Sequence, residues 1–437
     1  MEISKVSPLM NVYQTRRIQW RERTLLILAG LFILLNQIGL VIVQNRSIVA
    51  MWPVVVWAGC AIGLHMVANQ RLPHRDPLLM PAMLLLAGWG LNLIHRLLPT
   101  FADRQAYSVI FSVVVVTGLM YLPSDLLWLR RYRYTWLILG LILLGATILR
   151  GVNPAFAGGP RLWLGVAGVF YQPSELVKLL LTVFLASYLT DHWVTLRYDV
   201  FRIGRVRLPS LGFLAPMLLM WGVCVVILVW QRDLGTATIF FVIFMLMLYL
   251  ASGQWIILVT AALLFVGAMV VAYQTFSVVA LRVNIWLDPF GGNAPDNQSF
   301  QLVQSLIAVA SGRVLGQGIG QGVPTFIPVV HSDLVFAAIA EEWGLIGVVG
   351  LVVPLLVIVL RGLRVAMKSQ HRPFAAFMAA GLSIMLGIQS LLIMGGSLRL
   401  VPLTGVTLPF VSYGGSSLLT SFVAGGLLLI LSEESEA

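Results

Sequence analysis

GTATIFFVIFMLMLYLASGQWIILVTAALLFVGAMVVAYQT, residues 235–275, runs for 41 residues without a single Asp, Glu, Lys or Arg. The hydrocarbon core of a bilayer is crossed by roughly 17–25 apolar residues in a helix. The stretch therefore reads as two spans, 235–251 and 255–275, joined by a tight turn at Ser252–Gln254. Continuous apolar runs argue for helices, because a membrane barrel shows alternating segments of about ten residues. Working outward, comparable runs recur at 25–44, 49–69, 78–98, 107–122, 135–149, 173–190, 211–230, 343–360, 374–394 and 415–431. The fold class is an all-α polytopic membrane protein of about twelve transmembrane helices. Only 10% of its 437 residues are charged and 59% are hydrophobic, whereas a soluble domain is about 25% charged.

The net charge of +11 raises the question of nucleic acid, and its distribution answers it. With the N-terminus inside, 18 Lys and Arg fall in inner loops and nine in outer ones, with Lys178 within a span. Such an excess orients the chain with both termini in the cytoplasm. The basic charge is a topology signal and a contact for anionic membrane lipids, and no nucleic acid is expected. Residues 1–24 read as a cytoplasmic N-terminal tail, too polar for a cleaved signal peptide and followed by too long an apolar run. Cys60 and Cys224 both fall mid-span, as small buried apolar residues rather than a disulfide. No phosphate-binding glycine loop of the nucleotide-hydrolysing kind occurs, and the six His are scattered.

Against this apolar background stands one long polar stretch, about 276–342, with five of the 17 acids: Asp288, Asp296, Asp333, Glu341 and Glu342. The orientation places it outside. Three other motif-rich segments share that side: GGPRLWLGVAGVFYQPSELVK (158–178), QRDLGTA (231–237) and GGSLRLVPLTGVTLPFVSYGGSS (395–417). Inner loops are short and basic by comparison, so chemistry is expected at the outer face.

Each motif has a bland reading beside a functional one. Glu175 and Lys178, at i and i+3 in the first turn of a span, are either a mutual ion pair or the lining of an outward-open polar cleft, since ionisable groups at membrane depth cost roughly 2.5–3.5 kcal/mol each. Gly316, Gly318, Gly320 and Gly322 lack the strand–turn–helix context of a dinucleotide site and read as conformational. Ser416 or Ser417 suits a helix cap, with amides nearby that would also suit an anion. Asp333 is either a helix cap or a general base, because an isolated carboxylate among apolar residues and beside His331 has a raised pKa. Glu341 and Glu342 read as interface residues.

Taken in order, QPSELVKL (172–179), QRDLGTA (231–237), WLDP (286–289) with QSLIAVASG (304–312), GQGIGQG (316–322), HSDLVFAAIAEEWGLIG (331–347) and LPFVSYGGSS (408–417) resemble the signature segments of the SEDS family of FtsW/RodA/SpoVE-type proteins. The likeness runs from about residue 78 to 431 and divides the chain into the 1–24 tail, two additional spans at 25–77, a SEDS-like core at 78–431 and a cytoplasmic tail at 432–437.

The resemblance implies a peptidoglycan glycosyltransferase that polymerises lipid II at the outer face of the bacterial cytoplasmic membrane, in elongation or division, with a class B penicillin-binding protein as partner. It implies Asp333 as the catalytic acid of a His-Ser-Asp motif and Glu175 and Lys178 as cavity-lining residues. Arg161 and Trp163 correspond to a basic-aromatic element, and Gln172, Ser174, His331 and Ser416 belong to matching motifs. Arg161, Arg282, Arg313 and Arg399, with Lys178, are the cations available to neutralise a diphosphate. A divalent cation, Mg or Mn, could share that task, although no dedicated carboxylate cluster is evident. The chain departs from the pattern at Arg232 (Pro in the family), Val329-Val330 (Pro-Glu), Ile393 (Asn), Arg399 (often small) and GGPRLW. A lipid II flippase and an inactive scaffold are the alternatives. A flippase should show internal repeats or mid-membrane breaks accessible from both sides.

Overall fold

The computed structural model describes residues 8–154, 161–166, 168–198, 200–203, 206–209, 211–291 and 299–436. Fifteen α-helices carry the fold among these residues. They are α1 (Pro8–Val43), α2 (Trp52–Arg71), α3 (Leu79–Leu97), α4 (Pro99–Leu119), α5 (Leu127–Arg131), α6 (Arg133–Arg150), α7 (Pro173–Tyr198), α8 (Leu211–Trp230) and α9 (Leu234–Ser252). The second half adds α10 (Ile256–Thr275), α11 (Ser277–Leu287), α12 (Phe300–Gly312), α13 (Val335–Lys368), α14 (Pro373–Ser397) and α15 (Gly415–Glu436). Two antiparallel hairpins interrupt them: β1 (Leu164–Val166) with β2 (Val169–Tyr171), and β3 (Val200–Ile203) with β4 (Val206–Pro209).

Nine of the described helices are long and apolar enough to cross a membrane: α1, α2, α6, α7, α9, α10, α13, α14 and α15. The remaining runs read as spans form α3, α4 and α8. In α3 and α4 the helix carries polar residues (Asn92, His95 and Arg96; Asp103, Arg104 and Gln105). Asn92, His95 and Gln105 are buried among neighbouring helices rather than facing lipid. Helix α4 begins at Pro99, eight residues before the expected 107, because Pro99 supplies the pre-set φ of a first helical position.

The expected polar tail at 1–24 is helical from Pro8 onward. Glu22 is fully buried, taking Arg75 Nη2 at 2.5 Å, Arg75 Nε at 2.9 Å and His65 Nδ1 at 2.6 Å. That knot docks the N-terminal half of α1 on α2 and on the loop before α3. Polar residues continue the helix here because their charges are partnered within the fold.

The centre is built from α3, α7, α9, α13, α14 and α15, with α13 lying along α14 and α7 against α6, α9 and α14. Lipid tails are as apolar as leucine, so close backbone approach and packing drive this association more than water exclusion does. Gly381 of α14 shows the closeness: a Cβ there would lie 2.6 Å from Thr182 Cγ2 and 2.9 Å from Met247 Sδ. Cys60 and Cys224 are buried free thiols.

Helix α13 is broken at Gly344 (φ 62°, ψ −157°). The glycine-rich stretch fills the break. Gln317 N and Gly318 N donate to the carbonyls of Glu341 and Glu342 at 2.8 and 3.0 Å, while Leu345 N and Ile346 N donate to those of Arg313 and Val314 at 3.0 and 3.2 Å. Main-chain groups orphaned by a helix interruption thus find partners in the loop. Gly316, Gly318 and Gly320 have φ of 82°, 104° and 74°, which side chains rarely adopt.

Candidate active site

Ends of α4, α7, α9, α11 and α14 converge with the segments before α13 and α15, and two charged centres result. The first lies at the start of α7. Lys178 Nζ donates to Glu175 Oε1 at 2.9 Å and to Gln389 Oε1 of α14 at 2.8 Å. Glu175 is 5% exposed and Lys178 0%. Gln389 Nε2 donates in turn to the Thr407 carbonyl at 2.8 Å, and Thr407 Oγ1 meets Ser417 Oγ at 2.5 Å. Beside it Ser174 Oγ donates to Asp233 Oδ2 at 3.1 Å, Gln172 Nε2 donates to Ser174 Oγ at 3.1 Å, and Gln172 N donates to Ser416 Oγ at 2.9 Å. Asp233 also caps α9 through Thr236 N at 3.1 Å.

This centre is closed. Lys178 spends its charge on Glu175 and Gln389, so the ion-pair reading describes its geometry and an open, cleft-lining ammonium does not. Helix α15 starts at Gly415, which puts Ser416 and Ser417 inside its first turn. Instead of capping it, they stitch α15 to Gln172 and Thr407. Asp233 and Gln389 are the residues that sequence reading missed. A lone glutamine within an apolar span is costly unless partnered, and Asp three residues before Thr at a helix start is a cap pattern; both were available signals.

The second centre surrounds Asp333. The N-cap of α13 is Leu334, with no side-chain cap bond, so Asp333 does not cap the helix. Its Oδ1 accepts from Ser332 Oγ at 2.7 Å. A Cβ built on Gly405 (φ 72°) would sit 3.6 Å from Asp333 Oδ2 and 3.8 Å from Arg282 Nη2. Carboxylate and guanidinium therefore face each other across a glycine with no direct ion pair among the described residues. Arg282 Nη1 reaches the Thr404 carbonyl at 3.4 Å. Burial raises the Asp333 pKa above the usual carboxylate range, against the opposing pull of Ser332 and of the Arg282 charge.

The motif carrying Asp333 is held from behind. Ser412 Oγ donates to the Ser332 carbonyl at 2.6 Å and Tyr413 N to the His331 carbonyl at 2.8 Å. The His331 ring lies edge-on to Phe101 and Tyr413, at 5.5 and 5.6 Å. Burial among them lowers its pKa, so His331 stands as a neutral ring packing the loop.

Arg282 has a second neighbourhood. With Val279, Val283 and Pro402–Thr404 it lines one end of an apolar groove of about 400 Å³ walled by α8, α9 and α10, including Trp221, Phe241 and Phe265. The other cations are arranged differently. Arg399 donates from Nε to the Trp286 carbonyl at 2.7 Å and from Nη2 to the Leu287 carbonyl at 2.5 Å, capping the C-terminus of α11. Arg313 and Arg161 are exposed. Trp163 pairs with Val152 through main-chain bonds of 2.8 and 3.3 Å. Asp296, and residues 158–160 and 167 of the motif that carries Arg161 and Trp163, lie outside the described residues. Among the described residues no three His, Cys, Asp or Glu side chains are grouped to hold a metal ion.

The sequence pattern of the FtsW/RodA/SpoVE family, described as cell cycle proteins, matches residues 83–437. The peptidoglycan glycosyltransferase RodA of Mycobacterium tuberculosis is 34% identical over 85% of this chain and 80% of its own. RodA of Mycobacterium leprae is 32% identical over 99% and 94%, and a probable peptidoglycan glycosyltransferase FtsW of Halothiobacillus neapolitanus is 29% identical over 90% and 94%. Among solved structures, a chain of a peptidoglycan synthase complex that coordinates polymerization and crosslinking superposes with a TM-score of 0.67 at 26% identity, over 83% of this chain and 98% of that one. Rod shape determining protein RodA of Thermus thermophilus shares the fold, with a TM-score of 0.58 at 24% identity over 82% and 97%.

Proposed function

We propose, from the premise that this chain belongs to the FtsW/RodA/SpoVE family and is a multi-pass peptidoglycan glycosyltransferase, that it polymerises lipid II from the outer face of the bacterial cytoplasmic membrane with Asp333 as general base. The observation that carries this reading is the Asp333–Gly405–Arg282 arrangement at the mouth of the apolar groove. A carboxylate with a raised pKa and a cation that it does not neutralise flank a space where no side chain intrudes, because Gly405 has none.

The chemistry follows from those groups. The acceptor sugar hydroxyl gives its proton to Asp333 as its oxygen bonds to the donor anomeric carbon. The bond from that carbon to the diphosphate oxygen breaks, and its electron pair leaves with the diphosphate. Such a leaving group needs no protonation, so one carboxylate suffices where glycosidases use two. Arg282 lies on both the Asp333 side and the groove side, which suits a cation that meets a diphosphate whose polyprenyl tail occupies the groove. Exposed Arg161 and Arg313 can add long-range attraction for that anion. A divalent cation would supply further neutralisation of the same charge, but the described residues offer no cluster of carboxylates or imidazoles to hold one, so no step is assigned to it.

A class B penicillin-binding protein is the partner we propose, since the superposable chain comes from a complex that both polymerises and crosslinks. The test is polymerisation of lipid II by the purified chain in liposomes, with and without such a partner. Asp333→Asn should abolish glycan formation while the protein stays folded; normal polymer from that variant would remove Asp333 from the chemistry. Translocation of labelled lipid II with no polymer from the native chain would point to the flippase instead.

A further inference from the structure

We propose that Arg96 is a positioning residue for Asp333, acting through the detached first segment of α13, and that α1 braces it from behind. This rests on Asp333 being the base. The break at Gly344 makes residues 335–343 a short helix of their own, with Asp333 just before one end and Glu341 and Glu342 at the other. Nine residues at 1.5 Å rise give a rod of about 13 Å. Its far end is gripped by groups that no step of the chemistry uses. Arg96 of α3 donates from Nε to Glu342 Oε1 at 3.2 Å, and from Nη2 to the carbonyls of Gly320 and Gly322 at 3.2 and 3.0 Å. Glu341 Oε1 accepts from Val323 N at 2.9 Å.

One half-buried guanidinium thus ties the rod to the glycine loop that fills the break. The loop is backed in turn by α1: a Cβ on Gly320 would lie 3.3 Å from Leu40 Cδ2 and 3.4 Å from Val43 Cγ1, and one on Gly39 would lie 3.7 Å from Ile319 Cδ1. Helix α1 lies wholly outside the 83–437 span of the family match. Arg46, just past its end, donates to the His95 carbonyl at 3.2 Å next to Arg96. Because the rod is uncoupled from the rest of α13, the grip at its far end, rather than the long helix, sets the height and rotation of Asp333. Displacement of a reacting group by about 1 Å can cost on the order of 100-fold in rate.

The full-length chain in liposomes tests this with lipid II as probe. Arg96→Met should lower kcat about 10- to 100-fold, with KM for lipid II within about twofold; the stability lost by leaving buried Glu342 unpaired should return on adding Glu342→Gln, while kcat does not. Arg96→Lys, which keeps the charge and one donor direction, should restore part of kcat. Leu40→Ala with Val43→Ala should give the same split, smaller in size. Hydrogen exchange reads the geometry independently of activity: in Arg96→Met, amides of 335–343 should exchange faster while those of 346–365 do not. Unchanged kcat and unchanged exchange in Arg96→Met would overturn the proposal. So would equal loss of kcat, stability and exchange protection throughout α13, which is the pattern of a merely structural arginine. A native chain that fails to polymerise refutes the function, whereas the exchange pattern alone decides whether the rod is held by Arg96.

Discussion

Among the described residues, the Glu175–Lys178 and Asp333–Arg282 pairs beside the candidate site are built on opposite principles. Glu175 and Lys178 are in contact, share Gln389 and are sealed from solvent. Asp333 and Arg282 are kept apart by the width of a glycine and make no ion pair among the described residues. Charge that is fully partnered holds helices together, since desolvating it is tolerable only with complete neutralisation. Charge held apart stays available to a substrate. The first pair should therefore govern folding and the second turnover.

Four substitutions probe that contrast, from the largest effect to the smallest. Asp333→Asn should reduce polymerisation by about 10²–10⁴-fold, the usual weight of a general base, with thermal stability preserved; a matching loss of stability would erase the distinction. Lys178→Met should do the reverse and destabilise the fold by about 3–5 kcal/mol, because Glu175 is left buried and unpaired. Adding Glu175→Gln should recover much of it in the same thermal assay. Arg282→Met sharpens the contrast through pH. As the proposed base, Asp333 would work only when deprotonated, so the rate should climb as pH rises through its raised pKa. Removing a positive charge that lowers that pKa should move the ascending limb of the pH–rate profile to higher pH. Arg161→Ala and Arg313→Ala, at exposed positions, should change KM by no more than about a few-fold, and less at high salt.

Nine apolar helices among the described residues and the convergence of four motif-rich segments were legible in the sequence, because membrane burial demands long apolar runs and concentrates polar residues where they are needed. The separation of Asp333 from Arg282 was not, since it depends on a φ of 72° at Gly405, a residue from a third segment. Arg399 shows the same limit from the other side: its composition suggested a phosphate ligand, and its actual partners are two main-chain carbonyls at the end of α11. Main-chain acceptors are everywhere in a sequence and therefore invisible in it. The N-terminal helix was underestimated because Glu22 looks exposed until Arg75, 53 residues later, is brought to it.

The groove behind Arg282 is walled by α8, α9 and α10 and lined almost wholly by apolar side chains. With a polyprenyl tail in the groove, as proposed, phospholipid acyl chains would be its competitors. Its occupancy is therefore governed by mole fraction within the bilayer, not by concentration in the surrounding water. Diluting the same amount of substrate into more lipid should raise the apparent KM in bulk units while leaving it constant per unit of membrane.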